Sequence, residues 1–209
     1  MSDDDASTSP NLSSRGTWDS LIEYVNPAAM LVAIRGMLGE RLASRIEPDD
    51  VWQETLAIAW RDREKLQWQG RPAFRRWLLE VARNRILDLA DVEGAEKRGA
   101  MLRVTGLPSG SGSGVGLAPA FFATTTPSRV ASDRELAARL QSALDEVPGE
   151  WRDVVRLRLF EDLSMAEAGA CLGLGEEGAR YRFRHGLEAY RRALRRARVL
   201  DSSDEGRGD

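Results

Sequence analysis

The chain has 209 residues, of which 42% are hydrophobic and 30% are charged, and its net charge is −3 at pH 7. This size can bury a hydrophobic core in one or two small domains. With Cys171 as the single cysteine and His185 as the single histidine, the composition argues against a disulfide, a structural zinc site and a Cys–His enzyme. No run of about 18 apolar residues occurs, so we expect a cytoplasmic protein with no membrane insertion, metal or cofactor.

Composition divides the chain into helix-forming and polar stretches. Residues 1–16 are rich in Ser, Asp and Asn and are expected to form a disordered tail. Helical periodicity marks residues 17–92 and returns over 133–200, while the stretch 93–132 between them has the glycine, serine and proline content of a flexible linker. An acidic tail follows at 201–209. Because no strand-like alternation of useful length occurs, we expect an all-α fold of two small helical modules on a flexible tether.

The first informative helix of the chain opens with "DDVWQETLAIAW", directly after Pro48. Its early aspartates suit the N-terminal end of a helix dipole. Gln53 and Glu54 fall off the apolar stripe of this helix, so we expect them to face outward together with Asp50. The stripe itself consists of Val51, Trp52, Thr55, Leu56, Ile58 and Trp60.

A loop, "LQWQGR", separates this helix from the next one, "PAFRRWLLEVARNRILDLAD", which begins at Pro72. Four polar residues of the second helix lie largely on a face away from its apolar side; they are Arg75, Arg76, Arg83 and Asn84. Taken by themselves these residue types favour a solvated surface over a binding surface. Trp68 in the loop has two interpretations, a base-stacking aromatic or a side chain folded onto the module core.

The second module ends in an arrangement typical of a helix-turn-helix. Ser164 and Glu167 have the spacing of a capping box, so a helix begins there, and it is expected to stop at Gly173. A short turn then leads to Glu176, and the segment from Glu176 to Arg198 holds eight arginines against three glutamates. A helix, a tight glycine turn and a longer basic helix form the motif whose second helix enters the DNA major groove.

The arginines of this last helix differ in position. Arg180, Arg182 and Arg184 lie early enough to meet base edges or phosphates, while those from Arg191 onward are expected to contact backbone or nothing. An ordinary amphipathic terminal helix, with Phe183 on its buried face, explains the same pattern equally well. On this segment alone the two interpretations stay open.

Two motifs in the correct order carry a family resemblance. "DDVWQETLAIAW" followed by "FRRWLLEVARNRILDLAD" resembles the second region of bacterial extracytoplasmic-function sigma factors. The stretch "LDEVPGEWRDVVRLRLFEDLSMAEAGACLGLGEEGARYRFRHGLEAYRRAL" is similar to their fourth region. The resemblance covers roughly residues 20–92 and 134–196. It implies a transcription initiation factor without catalysis of its own, which binds core RNA polymerase, recognises promoter DNA and opens it; an anti-sigma factor would be a further partner.

The resemblance also implies residue roles. Polymerase docking would fall on Asp50, Gln53 and Glu54. Opening of the minus-ten element and binding of its non-template strand would fall on Trp68, Arg75, Arg76, Arg83 and Asn84. Reading of the minus-thirty-five element would fall on Arg180, Tyr181, Arg182 and Arg184.

Some residues depart from the family pattern. Ala168 and Gly169 stand where a larger aliphatic residue and an alanine are usual, so we expect the first helix of the motif to pack less well. Gly178 and Gly186 each reduce helix stability by about 1 kcal/mol relative to alanine. The acids that open the last helix would repel phosphates, so we expect weak minus-thirty-five binding.

Two rival functions use the same observations. A stand-alone helix-turn-helix regulator would bind duplex DNA without polymerase, but it leaves the Asp-Val-x-Gln-Glu-Thr run unexplained. A helical interaction protein with an arginine-rich face for acidic partners would show no salt-dependent DNA binding.

Overall fold

The computed structural model describes residues 10–103 and 127–199, with 93–103 and residue 127 described by their backbone alone. Every regular element in these two ranges is helical, which confirms the all-α fold. A 3-10 turn at Arg63–Lys65 follows the third helix. The helices are α1 Arg15–Val25, α2 Pro27–Ala43, α3 Pro48–Asp62, α4 Arg71–Arg103, α5 Pro127–Asp145, α6 Gly149–Leu159, α7 Met165–Cys171 and α8 Glu176–Arg196.

Helices α1 to α4 form the first module, and α2 runs through its centre. Asn26 separates α1 from α2 with a positive φ of 59°, and its side chain accepts a hydrogen bond from Ala29 N at 3.2 Å. Met30, Val32 and Ile34 of α2 are almost completely buried. Within the described ranges no single helix is long and apolar enough to cross a membrane, although α1 and α2, bent by 61°, reach that length and composition together.

Helices α3 and α4 pack beside α2 through the apolar faces that periodicity predicts. Val51, Trp52, Thr55 and Leu56 are buried, and Thr55 Oγ1 donates to the carbonyl of Val51 at 2.7 Å, which satisfies its hydroxyl. On α4 the buried residues are Phe74, Leu78, Leu79, Ala82 and Ile86. This packing fixes which faces of α3 and α4 remain available for partners.

Helices α5 to α8 form the second module, whose last two helices are the predicted helix-turn-helix. The capping box at the start of α7 is present: Ser164 N donates to Glu167 Oε2 at 2.7 Å, and Glu167 N donates to Ser164 Oγ at 3.2 Å. Gly173 adopts a φ of 65° in the turn after α7, and α8 begins at Glu176 as expected. A small core of Val154, Leu157, Ala168 and Ala179 joins α6, α7 and α8.

The two modules contact each other directly. Helix α5 packs along α2, and one continuous hydrophobic core includes Leu31 and Ile34 of α2 together with Leu144 of α5 and Tyr190 of α8. Sequence composition had no means of predicting this contact, because it depends on apolar residues far apart in the chain.

The boundaries of the predicted linker also differ from the structure. Helix α4 continues to Arg103 and α5 begins at Pro127, so both ends of the predicted stretch 93–132 are helical. The predicted return of helix at Asp133 is six residues late, because a proline at the first turn starts α5 earlier. The most glycine- and serine-rich part of the linker, within 104–126, lies outside the described residues, as do the expected tails over 1–9 and 201–209.

Candidate nucleic-acid interface

The polar face of α3 carries three residues for which polymerase docking is expected. Asp50 is exposed, while Gln53 and Glu54 are half-buried. Glu54 does not simply face outward, because its carboxylate forms an ion pair with the guanidinium of Arg85 on α4. This contact raises the pKa of Arg85. Glu54 therefore links α3 to α4 at the edge of the surface that Asp50 and Gln53 present.

The basic face of α4 brings the predicted minus-ten residues together on one side of the helix. Arg76, Arg83 and Asn84 are exposed. Arg75 is half-buried, and burial lowers its pKa. The expected arginine face therefore exists, but one of its members is partly withdrawn from solvent.

The three arginines of this face contact the second module. Their partners lie in the turn between α6 and α7, which we call the acidic turn and define as Phe160, Glu161 and Asp162. Arg75 Nη2 donates to the Phe160 carbonyl at 2.8 Å. In addition, Arg76 Nε lies 3.6 Å from Asp162 Oδ2, and Arg83 Nη2 lies 3.6 Å from Glu161 Oε2. The three arginines of the basic face thus have partners within the same chain.

Glu161 is the more buried of the two carboxylates in the acidic turn, at 7% exposure. Burial raises the pKa of Glu161, and the nearby cations Arg156 and Arg83 oppose that rise. Arg156 of α6 also forms an ion pair with Glu161 from within the second module. A buried carboxylate is costly to leave unpaired, and Arg156 and Arg83 together neutralise that of Glu161.

Trp68 packs onto the first module. Its ring centroid lies 6.2 Å from that of Phe74 at an interplanar angle of 42°, and the side chain is half-buried. The indole Nε1 is buried and has no hydrogen-bond partner within the described part of the chain. Of its two interpretations, this geometry corresponds to the aromatic folded onto the core.

The helix-turn-helix packs more closely than its glycines led us to expect. Ala168 is fully buried, and a Cβ on Gly169 would stand 2.9 Å from the Leu174 carbonyl oxygen. A Cβ on Gly186 would stand 2.6 Å from Val155 Cγ2 and would meet α6. The expectation of loose packing was wrong, because these two glycines allow backbone to approach where any larger residue would collide.

The exposed side of α8 carries three of the four predicted minus-thirty-five residues. Arg180, Tyr181 and Arg184 are exposed, and the Arg184 guanidinium lies 5.8 Å from the centre of the Tyr181 ring. Glu176, which lies one turn before Arg180, forms an ion pair with it and partly neutralises its charge. These residues border a shallow depression together with Met165 and Glu177.

Arg182 is the predicted residue that does not join this group. It is half-buried, and its Nη1 donates to the Glu150 carbonyl oxygen at 3.2 Å, at the start of α6. At about 100° per residue, Arg182 lies some 200° around the helix from Arg180. Alternation in the sequence suggested one group of arginines, whereas the helix places them on two sides.

Sequence reasoning missed the acidic turn. Its available signal was the pair Glu161–Asp162 after α6, which is typical of an ordinary solvated loop. Among the described residues no group of three or more acidic, histidine or cysteine side chains is placed to hold a metal ion. The chemistry of this surface is therefore that of guanidinium groups, which bind phosphates and base edges.

The chain is similar to known proteins over most of its length. Residues 29–93 match the family model Sigma-70 region 2. The chain is 34% identical over 151 residues to the ECF RNA polymerase sigma factor SigL of Mycobacterium tuberculosis, covering 71% of this chain and 75% of that protein. It is 30% identical over 175 residues to the ECF RNA polymerase sigma factor SigE of Mycolicibacterium smegmatis, covering 84% of this chain and 60% of that protein.

The similarity to SigL spans most of both chains. The Sigma-70 region 2 match over 29–93 contains the Asp-Val-x-Gln-Glu-Thr run, which a stand-alone helix-turn-helix regulator leaves unexplained. A sigma factor works by binding core RNA polymerase and promoter DNA, without catalysis of its own. The chain belongs to the extracytoplasmic-function family of RNA polymerase sigma factors and directs the initiation of transcription.

Proposed function

We propose that this sigma factor binds core polymerase and two promoter elements through three separate surfaces. Asp50, Gln53 and Glu54 on α3 bind core RNA polymerase. The α4 face of Arg75, Arg76, Arg83 and Asn84 binds the non-template strand of the minus-ten element. Trp68 supports this face by packing on Phe74. Arg180, Tyr181 and Arg184 on α8 read the minus-thirty-five element, and Arg182 supports α8 against α6.

The observation that supports this assignment most strongly is the separation of charge between neighbouring helices. Acidic and amide groups lie on α3, whereas guanidinium groups lie on α4, and the Glu54–Arg85 ion pair marks the border between them. Phosphates are attracted to the second surface and repelled from the first. One small module thus offers different chemistry to a protein partner and to a nucleic acid.

The domain boundaries are part of the proposal. Helices α1 to α4 would act as the polymerase and minus-ten unit, and helices α5 to α8 as the minus-thirty-five unit. The linker between them would supply reach rather than a fixed shape. We further propose that the protein acts in the cytoplasm and that an anti-sigma factor is among its partners, as is frequent in this family.

In vitro transcription with purified core polymerase tests the assignment. Addition of the chain should produce promoter-specific transcripts from genomic fragments. Gln53→Ala should reduce binding to core polymerase, whereas Arg139→Ala, a charge removal on the exposed side of α5, should change neither binding nor transcription. If Gln53→Ala binds core polymerase as tightly as the parent, the α3 surface is not the docking site.

A further inference from the structure

The single histidine of the chain packs between two aromatic side chains where α8 meets α6. The centroid of the His185 ring lies 5.6 Å from that of Trp151 on α6, at an interplanar angle of 30°. It lies 4.4 Å from the ring centroid of Tyr181, at an angle of 61°. Trp151 packs against the hydrophobic core, whereas Tyr181 is 56% exposed. These three rings, which we call the aromatic ladder, therefore connect the core to the exposed side of α8.

Two further contacts hold α8 against the start of α6, beside the aromatic ladder. A Cβ on Gly186 would stand 3.0 Å from Trp151 Cβ and 3.1 Å from the Trp151 carbonyl oxygen. The absence of a side chain at Gly186 therefore lets α8 approach Trp151 closely. Arg182 Nη1 donates to the carbonyl oxygen of Glu150, the residue before Trp151, at 3.2 Å. The aromatic ladder thus stands on backbone that is fixed at the same end of α6.

Tyr181 is an exposed aromatic side chain that nevertheless has fixed neighbours. His185 contacts its ring from the next turn of α8, and the Arg184 guanidinium lies 5.8 Å from the ring centre. An exposed side chain normally loses rotamer freedom when a partner binds, and this loss weakens the complex. The contacts with His185 and Arg184 restrict the Tyr181 ring before DNA arrives, so less freedom remains to be lost on binding.

The depression beside Tyr181 combines apolar and basic side chains. Its apolar surface comes from Tyr181, Met165 and Phe183, and its guanidinium groups belong to Arg180 and Arg184. In the major groove, arginine is suited to the acceptors of guanine, whereas an apolar side chain is suited to the C5 methyl group of thymine. The apolar part of this depression therefore fits a thymine methyl group, and the arginines on either side fit hydrogen-bond acceptors.

We propose that the Tyr181 ring recognises a thymine methyl group of the minus-thirty-five element and that His185 is the positioning residue that holds this ring. The inference rests on the proposed function of α8 as the helix that reads this element. His185 acts through Tyr181, while Trp151 fixes His185 from the side of α6. One face of α8 thus distinguishes thymine by apolar contact and guanine by hydrogen bonds.

Replacement of thymine by deoxyuridine tests the contact, because it removes the methyl group and keeps every hydrogen-bonding atom of the base pair. The affinity of the holoenzyme is measured at fixed salt for a promoter fragment whose minus-thirty-five thymines are replaced one at a time on both strands. We expect the parent to lose about fourfold in affinity at one position, the equivalent of one buried methyl-sized group. Tyr181→Ala should bind the two fragments equally, and Tyr181→Phe should keep the parental loss because it keeps the ring. A parent that responds to none of the replacements, or a Tyr181→Ala variant with the parental response, would overturn the proposal.

His185→Ala tests the positioning role. It should lower affinity for the thymine fragment roughly 3- to 10-fold, because Tyr181 regains rotamer freedom, and should bring the ratio of thymine to deoxyuridine affinity towards one. His185→Phe keeps a ring at this site and should retain the parental ratio, as should the control Glu188→Ala at an exposed site of α8. A parental ratio in His185→Ala would remove the positioning role, because a general loss of stability weakens both fragments alike. If His185→Ala does not fold, His185→Gln takes its place.

The arginines of the same face separate this inference from the proposed function. If Arg180→Ala and Arg184→Ala relax base preferences while Tyr181→Ala keeps the parental response to deoxyuridine, α8 reads the element through its arginines alone. The inference then fails and the proposed function stands. If all three variants keep the parental preference at every position, α8 does not read the minus-thirty-five element and both claims fail.

Discussion

Helices α4 and α8 are both rich in arginine, yet the structure uses their arginines differently. On α4, Arg75, Arg76 and Arg83 all contact the acidic turn of the other module. On α8, Arg184 lies exposed beside Tyr181, and Arg180 is exposed with an acidic partner from its own helix. The difference is that the α4 arginines contact a distant part of the chain, whereas Arg180 and Arg184 contact neighbours on their own helix. An arginine count does not distinguish these situations, because the partner decides what each guanidinium can do.

The largest expected effect concerns α4 in the holoenzyme. Arg76→Ala with Arg83→Ala should reduce open-complex formation by at least roughly 100-fold, because two lost charge-assisted contacts of about 1.5–3 kcal/mol each sum to about 3 kcal/mol or more. Permanganate footprinting of unpaired thymines at the minus-ten element measures the amount of open complex. The matched charge control is Arg15→Ala with Arg139→Ala, which removes two exposed positive charges outside α4 and α8. If the double variant forms open complexes at the parental level, α4 is not part of the DNA-binding surface.

The next largest effect separates the two sides of α8. Arg180→Ala or Arg184→Ala should cost about 1–3 kcal/mol in binding and relax the preference at one base pair. Arg182→Ala should leave that preference intact, because its guanidinium is bonded to the Glu150 carbonyl. Holoenzyme binding to a panel of minus-thirty-five variants at fixed salt distinguishes them. If Arg180→Ala and Arg182→Ala have the same affinities across the panel, the two sides of α8 do not differ in DNA recognition.

The glycines of α8 provide a comparison of similar size within one helix. Gly186→Ala should lower the free energy of unfolding by about 1–3 kcal/mol, because its Cβ would overlap Val155 and Trp151. Gly178→Ala should raise it by up to about 1 kcal/mol, because the nearest atom to its Cβ is Leu174 Cβ at 3.6 Å and alanine favours the helix. Urea denaturation of the two variants measures both changes. If Gly186→Ala raises the free energy of unfolding as Gly178→Ala does, α8 does not approach α6 closely.

The smallest expected effect concerns the border between the α3 and α4 surfaces. Glu54→Ala and Arg85→Ala both break one partly exposed ion pair, so each should lower the free energy of unfolding by about 0.2–1 kcal/mol. If Glu54 also contacts polymerase, Glu54→Ala should weaken core binding more than Arg85→Ala does. Titration of labelled variants with core polymerase provides the comparison. Equal losses would assign Glu54 to the ion pair alone.

The sequence by itself determined the local features of this protein. Apolar periodicity placed the buried faces of α3 and α4, and the spacing of Ser164 and Glu167 predicted the capping box that begins α7. Glycine after α7 and acids at the start of α8 predicted the turn and the next helix. These predictions succeeded because hydrogen bonds and helical periodicity within a few residues decide them. The family motif depends on residue order in the same way.

Contacts between distant residues were decided only by the tertiary structure. The acidic turn lies some 80 residues from the arginines that it contacts, and Gly36 gains its meaning only when Arg156 lies on it. Likewise, Arg182 resembles its neighbours in sequence and is set apart only by the packing of α8 on α6. A charged side chain selects its partner through space after the helices have packed. Sequence therefore predicted which helices carry the proposed binding residues, and packing decided which of those residues are exposed.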